Sequence, residues 1–152
     1  MDTYQLDSMD EQILSMLIHN ARIPFLEIAR ACGVSGTTIH QRVQRLTSLG
    51  VIQGTEYKVD PAKIGYETCA FVGLCLVGDT TLKDAVEALG KISEVVEVHC
   101  TSEEFDLLVK LYAHNNSHLL YLVEKKLRPI GLSKARVIVS FDVMLQKQLC
   151  PF

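Results

Sequence analysis

Between Ile28 and Thr55 the stretch "IARACGVSGTTIHQRVQRLTSLGVIQGT" contains no aspartate or glutamate, although the 152-residue chain carries 18 acidic side chains against 15 lysines and arginines. The same stretch holds Arg30, His40, Arg42 and Arg45. A formal net charge of -3 excludes a uniformly basic nucleic-acid binder but leaves room for a local one. No apolar run approaches the roughly 20 residues that a membrane-crossing helix needs. The opening "MDTYQLDSMD" is acidic and polar where a secretory signal would be basic and then apolar. A cytoplasmic protein with no membrane partner is therefore expected.

Paired-cysteine chemistry is missing as well. Cys32, Cys69, Cys75, Cys100 and Cys150 are odd in number, form no C-x-x-C pair and have no histidine nearby at a metal-ligand spacing. Most lie within apolar runs, which favours packed, reduced thiols over a disulfide or zinc site. No nucleophile elbow, phosphate-binding loop or metal signature occurs. Asp106 with His99 or Cys100 is the most that can be assembled toward catalysis, so neither an enzyme nor a cofactor is expected. His19, His99, His114 and His118 have no partner at triad or metal spacing and are read as surface or satisfied side chains.

What is present is a globular composition, 48% hydrophobic and 22% charged, long enough for one domain or two small ones. In "LDSMDEQILSMLIHNA" the residues Ile13, Leu14, Leu17 and Ile18 form one helical stripe. Ser8 with Glu11 has the spacing of a capping box, and Asp7 and Asp10 suit a helix N-terminus. A second helix is predicted from Pro24 to about Ala31, ended by Gly33. A third follows "GVS", with Ile39, Val43 and Leu46 inward and Gly50 as its terminal cap. Its polar side carries Thr37, Gln41, Gln44, Arg45 and Ser48, flanked by Thr38, His40 and Arg42.

Helix, tight glycine turn and a second helix with an acid-free face is the helix-turn-helix arrangement, whose second helix enters the major groove of duplex DNA. A carboxylate on that face would meet phosphate charge spaced about 1.7 Å along the axis. Arginine and glutamine match guanine and adenine edges, while serine, threonine and helix N-terminal amides suit phosphate oxygens. The candidate DNA-binding residues are Ser35, Gly36, Thr37, Thr38, His40, Gln41, Arg42, Gln44 and Arg45.

Beyond this, "GVIQGTEYKVDP" suits two short extended segments, a wing beside the helices. Pro61 and Gly65 in "DPAKIGYE" read as a hinge. The expected division is residues 1–60 for DNA binding, 61–66 as hinge and 67–152 as a second domain. There "CAFVGLCLV" is a strand. "TLKDAVEALGKI" is a helix with Leu82, Ala85, Val86 and Leu89 inward. "VVEVHC" and "FDLLVKLYA" form a hairpin across "TSEE", and "SHLLYLVEKKL" is a helix capped by Ser117, with Leu119, Leu120, Val123 and Leu127 inward. "RVIVSFDVML" is the last strand. The order β-α-β-β-α-β is the ferredoxin-like split motif, giving an α+β chain overall. Strand residues apolar on both faces, with Phe105, Leu107, Val109 and Leu111 on one side and Leu108 and Tyr112 on the other, predict a dimer through the uncovered sheet face.

Taken together, "LDSMDEQIL", "GVSGTTIHQRV" and "LGVIQG" with "VDPAKIGY" resemble the Lrp/AsnC (feast/famine) family of transcriptional regulators over essentially the whole chain, most closely its AsnC-like branch. The resemblance implies a winged helix-turn-helix domain followed by an effector-binding and oligomerisation (RAM) domain. It implies dimers assembling to octamers, and an amino-acid effector bound in the second domain that alters assembly or DNA affinity. The implied effector loop often reads T-G-x-Y-D. Here it is "CTSEEFDLL", placing Thr101, Ser102, Glu103, Glu104 and Asp106 at the site. From the residues alone, the same stretch is a polar hairpin turn. Glu103 stands where the glycine is expected, and Val137 lies near the place of a threonine. Either the effector differs from a simple amino acid or this member has lost effector response and acts as a constitutive DNA-binding or assembly protein.

Overall fold

The computed structural model describes residues 4–102 and 104–152, the side chain of Lys134 excepted. The chain forms two compact units. One runs to Lys58 and takes in Leu145–Phe152; the other is Val59–Met144. The last eight residues, assigned by sequence to the second domain, thus group with the first unit.

In the first unit α1 is Ser8–His19, α2 is Phe25–Cys32 and α3 is Gly36–Ser48. Ile13, Ile28, Ala29 and Ile39 form its buried centre, with Met16, Leu17, Phe25 and Val43 packed around them. The cap of α1 differs from the predicted Ser8 and Glu11. Asp7 Oδ1 accepts from the Asp10 N–H at 2.8 Å and Asp10 Oδ2 from the Asp7 N–H at 3.4 Å. Aspartate caps as well as serine does, and this phase turns Asp10 inward, where it is 2% exposed. Gly33 ends α2 at φ 67°, a left-handed conformation that costs glycine nothing. No strand occurs in residues 51–60, so the extended segments expected as a wing have no ladder partner among the described residues.

In the second unit β1 is Thr68–Leu76, α4 Leu82–Leu89, β2 Val95–Cys100, β3 Leu107–Ala113, α5 Asn116–Tyr121 and β4 Leu132–Ser140. The four strands form one antiparallel sheet in the order β2-β3-β1-β4. Ala70, Val72, Leu74, Leu107, Val109, Leu111 and Ala113 point to the helical side, where Ala85, Leu89, Leu119, Leu122, Val123 and Leu127 cover them. One cap and three of the predicted inward positions differ from prediction. Asn115, not Ser117, caps α5 by accepting the His118 N–H at 2.9 Å, and a wider π-type turn over Leu122–Leu127 follows. Leu119, Val123 and Leu127 are buried as predicted and Leu122 joins them at 2% exposure, whereas Leu120 is 63% exposed. Leu82 and Val86 are likewise 42% exposed while Ala85 and Leu89 carry the contact. The last strand stops at Ser140, leaving Phe141 exposed.

The other sheet face is mixed rather than apolar. Phe71 pairs laterally with Lys110 on one side and Ile138 on the other, and Lys110 in turn with Glu97. Lys110 Nζ is 3.0 Å from Glu97 Oε1 and 6.0 Å from the ring centres of both Phe71 and Tyr112. Aromatic faces on two sides and one carboxylate allow an ammonium to sit half-buried here. Among the described residues no helix is long and apolar enough to cross a membrane, and no group of three or more His, Cys, Asp or Glu residues could hold a metal ion.

Candidate DNA-reading face and ligand loop

The third helix is anchored from below and open above. Ile39 and Leu46 are buried at 0% and 1%, fixing which side faces the core. Ser35 caps the helix by accepting the Thr38 N–H at 3.1 Å, and its hydroxyl is 2.9 Å from the Thr38 hydroxyl. Gly36 lies where an added Cβ would come within 3.2 Å of Leu26, so the small residue lets α2 and α3 approach closely. With no acid in its first turn, α3 presents free amide N–H groups and Thr37, His40, Gln41, Gln44 and Arg45 on an exposed side. His40 is steadied by Phe25, its ring centre 5.9 Å away.

Arg42 is turned elsewhere. Its Nη1 donates to Asp7 Oδ2 at 2.6 Å and Asp10 Oδ1 at 2.8 Å, tying α3 to the start of α1. The Arg42 guanidinium, first among its causes, holds the Asp7 carboxyl below its usual range, with the Asp10 backbone N–H adding to it. The same two carboxylates raise the pKa of Arg42, Asp7 more than Asp10. Arg45, one turn on, leaves the acids alone and stacks over Tyr4, 5.1 Å from its ring centre. Tyr4, Asp7 and Asp10 were absent from the residues singled out by sequence for this face. The D-x-x-D spacing signals the cap, but nothing local signals that it also holds Arg42.

The second unit's loop between β2 and β3 closes on itself. The Thr101 hydroxyl donates to the Phe105 carbonyl, and the Thr101 N–H to the Asp106 carbonyl at 3.2 Å. Pairing of β1 with β3 stops at Leu74 and Leu107, and the Asp106 carboxylate accepts the Leu76 N–H at 2.7 Å just past that end. Phe105, predicted to share a face with Leu107, instead leaves the strand and lies over Gly73. An added Cβ on Gly73 would fall 2.5 Å from its ring. The Cys75 thiol donates to the Glu104 carbonyl at 3.3 Å. Arg136 of β4 sits 5.6 Å from the Phe105 ring centre and 2.9 Å from Glu104 Oε2. Thr101, Glu104 and Asp106 are thus gathered around one loop, Ser102 is exposed on it, and Glu103 lies outside the described residues.

Comparison with known proteins identifies two domain types in the chain. Residues 6–47 match the AsnC-type helix-turn-helix domain and residues 69–149 the Lrp/AsnC ligand binding domain. The chain is 30% identical over 149 residues to the regulatory protein AsnC of Haemophilus influenzae, covering 97% of this chain and 99% of that one. It is 31% identical over 130 residues to the regulatory protein AsnC of Escherichia coli K12, covering 86% of each. The solved structure of Escherichia coli AsnC superposes with a TM-score of 0.90 at 27% identity, over 97% of this chain and all of that one. With both domain types matched in order and a relative aligned almost end to end, the chain belongs to the Lrp/AsnC family of transcriptional regulators.

Proposed function

We propose that this regulator reads duplex DNA by laying α3 in the major groove. Gln41, Gln44 and Arg45 face base edges, and Ser35, Gly36, Thr37, Thr38 and His40 fix the helix N-terminus against phosphates. The observation that carries this reading is the exposed, acid-free side of α3 above a buried Ile39 and Leu46. Arg42 serves by holding α3 to Asp7 and Asp10. The chain acts as a homo-oligomer through its second domain. That presents two copies of α3 to the two half-sites of a symmetric operator.

The regulation proposed for this chain is by a small molecule of amino-acid type at the loop holding Thr101, Ser102, Glu103, Glu104 and Asp106. A second reading, a member whose effector response is lost or altered, draws support from the loop's own closure, because Glu104 already occupies Arg136. A thermal-shift screen of amino acids on the full chain separates the two: a saturable stabilisation supports the first, none the second. For DNA, footprinting on a duplex selected from a randomised library by the wild-type chain is the test. Arg45→Ala and Gln41→Ala each weaken that duplex by about 1 to 3 kcal/mol without changing oligomer size. Unchanged affinity in both variants would mean that another face meets the DNA.

A further inference from the structure

The first unit contains a chain of contacts that leads from a buried carboxylate to the DNA-reading face, and its middle member is Tyr4. The Tyr4 hydroxyl donates to Asp10 Oδ2 at 3.2 Å. The Asp10 side chain is 3% exposed and also holds Arg42 through Oδ1 at 2.8 Å and accepts the Asp7 N–H. An acceptor fixed on three sides makes a rigid anchor for the phenol. On its other side the Tyr4 ring carries the Arg45 guanidinium at 5.1 Å. Arg45 itself is exposed, on the face of α3 opposite Ile39 and Leu46.

We infer that Tyr4 is a positioning residue for DNA reading: anchored on Asp10, it holds the Arg45 guanidinium over its ring and aims it outward before DNA arrives. The inference rests on the proposed placement of α3 in the major groove. A long, exposed arginine otherwise samples many rotamers and loses that freedom when its fork meets a guanine edge. A cation-π contact restricts the choice while leaving all the N–H groups free, because the ring attracts through its face and takes up no hydrogen-bond donor. A carboxylate in place of Tyr4 would hold Arg45 more tightly but would compete with the base for the same donors. This separates the two arginines on α3: Arg42 is held through its donors and Arg45 through its charge over an aromatic ring.

The experiment is a double-mutant cycle on the full chain. Fluorescence anisotropy is measured on the duplex selected by the wild-type chain and on a random-sequence duplex, at one stated salt concentration, with thermal melting followed in parallel. Tyr4→Leu is expected to weaken the selected duplex about three- to tenfold and to leave the random duplex unchanged, while the lost Asp10 hydrogen bond lowers the melting temperature of Tyr4→Leu and Tyr4→Phe alike. Tyr4→Phe keeps the ring and loses the anchor, and falls between Tyr4→Leu and wild type. In an Arg45→Ala background, Tyr4→Leu has no further effect, since the residue it positions is gone. The inference is overturned if Tyr4→Leu costs the same factor in both backgrounds, if it leaves binding unchanged, or if it tightens binding, which would make the stack a restraint. If Arg45→Ala alone leaves the selected duplex bound as tightly as wild type, the placement of α3 on DNA fails, and the role of Tyr4 fails with it.

Discussion

Two arginines grip carboxylates at nearly equal distances in the two units, and their surroundings make them different devices. Arg42 lies 2.8 Å from an Asp10 side chain that is 3% exposed, while Arg136 lies 2.9 Å from Glu104 with both side chains more than half exposed, at 61% and 57%. Water screens the second pair and competes for its hydrogen bonds, so it adds little to folding. Asp10 has given up its hydration and depends on Arg42, Tyr4 and the Asp7 N–H in exchange. The first contact is part of the framework that sets the pitch of α3. The second restrains an exposed loop and contributes little to the fold.

Breaking the buried contact gives the largest expected effect. Asp10→Ala removes a cap bond, the Tyr4 anchor and a charge partner of Arg42, and should destabilise the first unit by about 3 kcal/mol. Urea denaturation followed by circular dichroism measures it. Glu104→Ala, treated identically, should change stability by less than about 1 kcal/mol. Equal losses in the two variants would abolish the distinction between framework and restraint.

The same contrast explains how much could be read in advance. Ile39, Val43 and Leu46 repeat at helical spacing, and a helix that buries one side exposes the other, so the exposed side of α3 follows from periodicity alone. The helix-turn-helix and the order of strands in the second unit are equally local in their signals. Arg42 looks like any exposed base on that helix until Asp10, 32 positions earlier, is brought to it by the fold. Phe105 likewise reads as the start of an alternating strand, because Leu107, Val109 and Leu111 continue its pattern. Its actual partner, Gly73, lies on a different strand and has no side chain to advertise the notch. Along α5 and the wider turn after it the predicted Leu119, Val123 and Leu127 are buried, and the one exchange, Leu122 inward for Leu120, is what i, i+3, i+4 spacing from Leu119 gives.

The notch offers a sharper, smaller test within the second unit. Gly73→Ala places a methyl about where the Phe105 ring now lies, the nearest ring atoms being 2.5 to 2.7 Å from an ideal Cβ. The ring must leave or the strand must shift, at a cost of about 1 to 3 kcal/mol. Hydrogen exchange should then quicken at Leu76, whose N–H is held by Asp106 at the base of the same loop. Phe105→Leu in the Gly73→Ala background makes room for the methyl and should recover part of the loss. A neutral Gly73→Ala would show that Phe105 does not seal this face of β1, and the loop would then lack its main apolar hold.

Among the described residues each unit also holds one carboxyl below its usual range, and these should give the smallest and most evenly matched effects. Asp7 is held down by Arg42 first and the Asp10 N–H next; Glu97 by His99 first and Lys110 next. As pH falls, the unfolded chain protonates these groups at ordinary carboxyl values, near 4, while the folded chain still keeps them charged. The unfolded state then binds more protons, so stability declines with falling pH and the contribution is complete only above that range. Asp7→Asn and Glu97→Gln should each flatten the fall in urea midpoint between about pH 5 and pH 3. The Asp7 and Glu97 side chains are 53% and 45% exposed, so screening keeps both changes well below that of Asp10→Ala. Because asparagine still caps a helix, Asp7→Asn isolates the charge from the cap. If its slope matches wild type while that of Glu97→Gln is shallower, the acid sensitivity belongs to the second unit, and Asp7 acts on α1 as a cap alone.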